Sequence, residues 1–394
     1  MNIGMLADTY KPYISGVTNH ISLNKRALEE LGHRVFVFTL GGEKYVDEEL
    51  YVIRSPAIAL ADTGFNVSFR YTRFAQRKLA TMDVVHVHHP FVSGRMALRY
   101  CRSNGIPLVF TNHTRYDLYA QAYLPQVPNV LSDAFLHTFL PGFCRQCDLI
   151  IAPSSGLAGV LHDFGVDSDI EIIPNGVELA RFQDLQVDLA RSKLGLNDGD
   201  KVLIYVGRLG PEKNLTMLLR SFAGAQAAVD RLHLIVVGGG AELDNLRNWC
   251  DLAGIASRVH FLGEVPYDMV PTYLHMADAF VTASTSEVHP LSLIEALAVG
   301  LPVVGIQSPG LEDTIQDGIN GFLCRNDIAD FTARQVRMML DDRLREALGT
   351  GAAESALRYD IRHSSINMLR HYEELVENRN GHSKEVRRLP SFLR

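Results

Sequence analysis

The stretch 284–305, STSEVHPLSLIEALAVGLPVVG, decides how the chain is read. From Pro290 to Val299 it predicts a short helix, with proline at the first helical position and Gly300 then Pro302 as a stop. Leu291, Leu293, Ile294, Leu297 and Val299 leave that helix almost no solvent face. It stands between two apolar strand patterns, AFVTAS (279–284) and PVVGI (302–306). Apolar strands separated by helices mark a parallel sheet covered on both faces. Glu295 nevertheless sits inside the buried helix, and Glu287 stands just ahead of it. A buried carboxylate is costly unless something binds it.

The same alternation runs from end to end. Strands are expected at 2–8, 34–40, 83–89, 107–113, 148–154 and 170–176, then at 201–207, 231–238, 258–263, 279–284, 302–306 and 321–324. Helices are expected at 16–31, 213–228, 240–253 and 327–341. Twelve strands exceed one sheet of ordinary size. The break falls in the polar, acidic run VELARFQDLQVDLARSKLGLNDGD. The fold class expected is α/β, two facing doubly wound Rossmann-like domains with a cleft between them. The limits are 1–177 for an N-terminal acceptor-binding domain, 178–200 for a linker and 201–358 for a C-terminal nucleotide-sugar-binding domain. A helix at 359–377 returns to the first domain, and a basic tail covers 378–394. Ligands bind beyond the carboxyl ends of such strands, at the switch in strand order.

Composition narrows the class. The 394 residues are 47% hydrophobic and 21% charged, enough for two cores and against long disorder. A net charge of −7 argues against nucleic acid as a partner. The opening MNIGMLADTY reads as a strand rather than a signal, and the apolar runs are strand-length, so a cytoplasmic chain is expected. Five scattered cysteines make no disulfide framework. The CRQC spacing of Cys144 and Cys147 precedes a strand and lacks a second pair, so it reads as ordinary helix cysteine.

Most familiar motifs fail. VVGGGAEL (236–243) follows a strand and opens a helix, but Leu243 stands where a dinucleotide fingerprint has its third glycine. It reads as a tight turn. HVHH (86–89) has no acidic partner, and no metal is assigned to it. There is no Walker sequence and no GxSxG elbow. In RLGPEKNL, by contrast, Arg208 and Lys213 flank a strand-to-helix junction suited to phosphates. Gly16 enters the first helix where backbone amides can approach an anion, although it also fits a plain turn. The helix after Pro290 offers the free amides of Leu291, Ser292 and Leu293. Glu287 at the cleft mouth and Glu295 about 8 Å further in suit hydroxyls at two ends of one ligand with phosphate between them. That describes a nucleotide-sugar.

The motif SEVHPLSLIEALAVGLPVVG, with its E-x7-E spacing, resembles the signature of the family 4 retaining glycosyltransferases, which have the GT-B fold. SGVTNHISLNKRALEELGHRV, DVVHVHHP, IIPNGVE, VGRLGPEKNL and GLEDTIQDGINGFL follow in the family's order, over roughly residues 1–375. The resemblance implies that Glu295 binds the ribose hydroxyls and Glu287 the donor sugar. Arg208 and Lys213 hold the diphosphate with amides at Leu291, Ser292 and around Gly16, and His113 stands near sugar and acceptor. It implies sugar transfer with retention, the departing phosphate taking the acceptor's proton, with no metal and no cofactor. Val288-His289-Pro290 departs from the aromatic or glycine-rich run of many members. An epimerase would need acid and base residues around a sugar carbon, and a non-catalytic binder would have lost Glu287, Arg208 or Lys213.

For the acceptor, TNHTRYDLYAQAYLP (111–125) starts at His113, carries Tyr116, Tyr119 and Tyr123, and resembles the matching segment of transferases that glycosylate diacylglycerol. FRYTRFAQRKL (69–79) has four basic and no acidic residues. On a helical wheel Arg70, Arg73, Arg77 and Lys78 share an arc of about 140° around Phe74, which suits an anionic membrane surface. The expectation is a peripheral enzyme at the inner membrane face that moves a hexose, UDP-glucose by default, to a lipid hydroxyl. The alternative is a soluble acceptor. No protein partner is inferable.

Overall fold

In the computed structural model, residues 1–42, 45–60, 65–68, 70–123, 126, 128–182 and 191–388 are described, with backbone only at 59–60, 65–67 and 380–388. Two wholly parallel sheets organise them. The first orders its strands Val52–Ser55, Arg34–Leu40, Asn2–Leu6, Val84–Val87, Leu108–Thr111, Leu149–Ala152 and Ile170–Ile172. The second orders Val259–Gly263, Leu232–Val237, Lys201–Val206, Ala279–Thr282, Val303–Ile306 and Gly321–Cys324. Strand order reverses beside Asn2–Leu6 in the first and beside Lys201–Val206 in the second. Each reversal opens a crevice at the strands' carboxyl ends. The loops of interest, with His88 and His113 on one side and Arg208 and Glu287 on the other, all leave such ends.

The expected strands and helices form, and three further strands appear. Val52–Ser55 extends the first sheet, and Ile58–Leu60 pairs antiparallel with Phe65–Val67. All three are too short to show a period in sequence. The Arg73–Leu79 helix begins later than the expected one, because Thr72 caps it by accepting the Ala75 amide at 3.2 Å. Arg70 therefore lies outside the helix, which corrects the basic wheel, and Phe69 lies outside the described residues. Lys78 leaves the arc too, its Nζ 4.1 Å above the Phe36 ring.

The chain crosses between the sheets twice, side by side. Val177 N donates to Tyr359 O at 2.8 Å and Ile361 N to Val177 O at 2.9 Å. The last helix, Ile361–Arg388, then buries Met368 and Tyr372 in the core of the first sheet, beside Ile3, Val84 and Val109. It runs past the limit of 377. The run at 178–200 is less of a free linker than its polarity suggests, since Leu179, Phe182 and Leu196 are buried in the core of the second sheet. Residues 183–190 of that run and 389–394 of the tail lie outside the described residues.

Candidate active site

The Leu291–Ala298 helix forms as its punctuation predicts, with Pro290 as the residue before it and Gly300 at φ +75° after it. Leu293, Ile294 and Leu297 are fully buried, each contributing about 1.5–3 kcal/mol. Glu295 is buried among them, and its carboxyl accepts one hydrogen bond, from the Tyr267 hydroxyl at 2.8 Å. Burial raises its pKa to about 7, a shift that Tyr267 and the Arg181 charge offset only in part. Without a ligand the carboxyl is poorly satisfied, and this is the physical content of its odd place in the sequence.

Glu287 lies eight residues earlier, in the loop that follows the Ala279–Thr282 strand. Lys213 Nζ donates to its Oε1 at 2.7 Å. Ser286 Oγ donates to the Glu212 carbonyl at 3.1 Å and Asn214 Nδ2 to the Ala283 carbonyl at 3.3 Å, so the two strand-end loops are stitched together. A third loop supports them. A Cβ on Gly238, at φ +136°, would collide with the Gly207 carbonyl, and one on Gly240 with that of Leu209. The triple glycine is thus the close backbone approach that the sequence reading preferred to a dinucleotide fingerprint.

Arg208 is held by Glu212 at 2.7 Å on one side and, on the other, by Tyr13 of the loop before the first helix and Tyr119 of the Tyr116–Tyr123 helix. Its Nη1 donates to the Tyr119 hydroxyl at 2.8 Å and to that of Tyr13 at 3.5 Å, and its guanidinium lies 5.4 Å from the ring centroids of both Tyr119 and Tyr123. Tyr123 donates in turn to Glu212 at 2.9 Å. Burial works against the guanidinium charge, and Glu212 more than restores it. Glu212 and Tyr13 carry no signal in sequence that separates them from surface polar residues. Only the fold shows that Glu212 pairs with Arg208 while Tyr123 donates to it.

These contacts bring the two sides together. Tyr13 lies in the loop leading to Gly16, the first residue of the Gly16–Glu30 helix, whose cap Ser15 accepts the Thr18 amide at 3.1 Å. A Cβ on Gly16 would meet nothing within 4 Å, so no neighbour demands glycine there and the amide end is open. One turn on, the His20 ring lies 4.7 Å from that of His113. His113 follows the Leu108–Thr111 strand, its Nε2 3.0 Å from His88 Nδ1. Burial, then the neighbouring histidines, holds its pKa well below the ordinary value, so it is a neutral imidazole at pH 7. Tyr13 and Tyr119 thus join the loops carrying Gly16 and His113 to Arg208, and Lys213 joins Arg208's loop to Glu287, while Glu295 lies eight residues on, inside the helix that also carries Leu291 and Ser292.

Other expectations change. Tyr116 is buried against Phe91, with ring centroids 5.0 Å apart, inside the first sheet's core. Its place as an acceptor contact is corrected; Tyr119 faces the cleft in its stead. Arg70, Arg73, Phe74 and Arg77 are all exposed, Phe74 at 67%. Arg70 and Arg73 line a separate hollow of 760 Å3 with Gln76, Arg99 and Tyr100. The departure at Val288-His289-Pro290 is an interdomain contact. Ser154 Oγ donates to the Val288 carbonyl at 2.6 Å and Asn175 Nδ2 to that of His289 at 2.8 Å. Cys144 and Cys147 are free thiols whose pKa burial raises.

Comparison with known proteins assigns the family and the fold. Residues 14–181 match the family model "Glycosyltransferase Family 4" and residues 186–355 the model "Glycosyl transferases group 1". The chain is 32% identical to an alpha-monoglucosyldiacylglycerol synthase of Streptococcus pneumoniae, over 82% of this chain and 75% of that one. It is 28% identical to the enzyme of the same name from Acholeplasma laidlawii, over 82% and 84%. An Anabaena protein solved in complex with UDP and glucose superposes with a TM-score of 0.78 at 18% identity, over 95% of this chain and all of that one. The fold is GT-B, and the chain belongs to the family 4 glycosyltransferases.

Proposed function

We propose that this enzyme moves a hexose, with retention, from a nucleoside-diphosphate sugar to a hydroxyl of a membrane lipid such as a diacylglycerol. The observation that carries the proposal is the convergence of two cations, helix-end amides and two differently placed carboxylates opposite His113. UDP-glucose is the donor proposed, in keeping with the synthases named above and with the UDP and glucose bound by the Anabaena neighbour.

In the ligand-free cleft Lys213 is paired with Glu287 and Arg208 with Glu212. A diphosphate offers both cations a stronger partner and frees Glu287 for the sugar hydroxyls. Ribose hydroxyls donating to Glu295 relieve its poor satisfaction. As the bond to the sugar breaks, negative charge grows on the diphosphate and positive charge on the sugar carbon. Arg208, Lys213 and the amides of Leu291, Ser292 and Gly16 are fixed before that charge develops, so they stabilise the transition state without reorganising. The departing phosphate takes the acceptor's proton on the same face of the sugar. Neutral His113 can then donate to a sugar or acceptor oxygen without adding charge. The two protein cations take the part a metal would otherwise play.

The exposed run Arg70, Arg73, Phe74 and Arg77, beside the arginine-lined hollow, suits anionic headgroups with Phe74 at the interface. No described helix is long and apolar enough to cross a membrane. We take this face as a peripheral contact with the cytoplasmic leaflet. Incubation with UDP-glucose and vesicles containing diacylglycerol tests the proposal: a glucosylated lipid supports it. Donor consumption only with soluble acceptors assigns a soluble substrate instead.

A further inference from the structure

His20, His88 and His113 form, among the described residues, the one group of three side chains able to hold a metal ion, with one ligand atom from each lying within 4.8 Å of the others. We propose that these three histidines bind a borderline first-row divalent cation, of which Zn2+ is the representative, and that its binding inhibits transfer by engaging His113. Sequence places the three 68 and 25 residues apart, so only the fold joins them.

The donor set selects the cation. Three imidazoles without a carboxylate suit Zn2+, Ni2+ or Cu2+ rather than Mg2+ or Ca2+. Around Zn2+ with bonds of about 2.0–2.1 Å, tetrahedral nitrogens stand about 3.4 Å apart. His88 Nδ1 and His113 Nε2 are already 3.0 Å apart, so closing the site asks mainly for a rotation of the His20 ring. The protein itself leaves the His88 ring poorly satisfied. His88 is fully buried, its Nδ1 faces His113 and its Nε2 has no hydrogen-bond partner, so no protein donor on Nε2 fixes the tautomer that would keep Nδ1 from a metal. His113 is only partly buried and leaves the fourth position to water or a ligand oxygen from the cleft. His86 is a support rather than a ligand, since its two nitrogens face the Tyr372 hydroxyl at 2.6 Å and Thr111 Oγ1 at 2.7 Å.

A second histidine pair supplies the control. His233 Nδ1 and His260 Nε2 also stand 3.0 Å apart, but the Arg258 guanidinium lies 2.8 Å from His233 Nε2 and opposes a cation there. The test takes the full chain, stripped with EDTA and desalted, and titrates it with ZnCl2 by calorimetry. One Zn2+ should bind per chain. His20→Ala and His88→Gln should each weaken binding by at least about tenfold, the loss an outer-shell partner alone can cause, while His233→Ala leaves it unchanged. Circular dichroism shows whether each variant is folded, and His20→Asn replaces any that is not. No stoichiometric binding, or binding lost only in His233→Ala, overturns the site. The inhibitory effect rests on the transferase reading: Zn2+ should abolish sugar transfer with the calorimetric midpoint, and EDTA should restore it. Full transfer by the Zn2+-loaded enzyme overturns inhibition, whereas a failed transferase reading leaves the calorimetric result standing.

Discussion

Glu295→Gln should make the protein more stable as it makes the enzyme worse, and the size of the gain follows from burial. The glutamate pKa rises from 4.5 to about 7 in the folded chain, while the unfolded chain keeps the ordinary value. Between those values the folded state holds a proton that the unfolded state has lost, so the wild type loses stability as pH rises through that window. Each pKa unit is about 1.36 kcal/mol. The variant, which never ionises, should therefore gain on the wild type by about 1 kcal/mol at pH 5 and about 3 kcal/mol at pH 8. Glutamine keeps an oxygen for the Tyr267 hydroxyl, so no partner is orphaned. Urea unfolding of both proteins across that pH range, followed by a probe in the second sheet's core, reads the difference directly. A variant no more stable at pH 8 than at pH 5, relative to wild type, would refute the claim that this carboxylate is held at a cost for its ligand.

The same substitution should raise donor KM by about tenfold or more, because an ionised carboxylate bonding a hydroxyl contributes about 1.5–3 kcal/mol. Thermal shift with UDP alone should shrink in parallel. Arg208→Ala or Lys213→Ala should lower kcat by about 100- to 1000-fold with a smaller change in KM, since charge on the diphosphate grows in the transition state; steady-state kinetics separates the two patterns. EDTA should leave transfer undiminished, and activity lost to chelator and restored by a divalent ion would return a catalytic metal to the account. Replacing Arg70, Arg73 and Arg77 together by Ser should abolish co-sedimentation with anionic vesicles at low salt while leaving the chain folded by circular dichroism; unchanged sedimentation would remove that face from the membrane contact.

The sheets were legible because their strands are buried on both faces and so read as unbroken apolar runs such as KVLIYV and LHLIVV. Val52–Ser55 and the small hairpin were not, since three or four residues carry no period. The Arg73–Leu79 helix was misread at its start because a wheel ignores caps, and Thr72 ends the helix where charge alone extended it. In the site, the cations, Gly16 and Glu287 could be placed because each follows a strand end or opens a helix, and Glu295 because a carboxylate stands out in an otherwise apolar helix. What escaped was every residue whose role lies in a partner far along the chain. Glu212 is chemically an ordinary surface acid until Arg208 and Tyr123 close on it, and His20 is an ordinary helix histidine until His88 and His113 arrive from two other loops. Tyr116 and Tyr119 are alike in sequence and, three residues apart on one helix, share a side of it, so only the neighbours the fold supplies, Phe91 for one and Arg208 for the other, separate core from cleft.

The central claim is that the cleft transfers a sugar from a nucleotide to a lipid. It is tested most directly by supplying UDP-glucose labelled in the sugar to the enzyme with diacylglycerol-containing anionic vesicles, extracting the lipid and determining product and anomeric configuration by NMR. The account predicts a monoglucosylated lipid whose new bond keeps the α configuration of the donor, formed with release of UDP. A β-linked product would contradict retention, and label that never enters the lipid fraction while the donor is consumed would contradict the lipid acceptor.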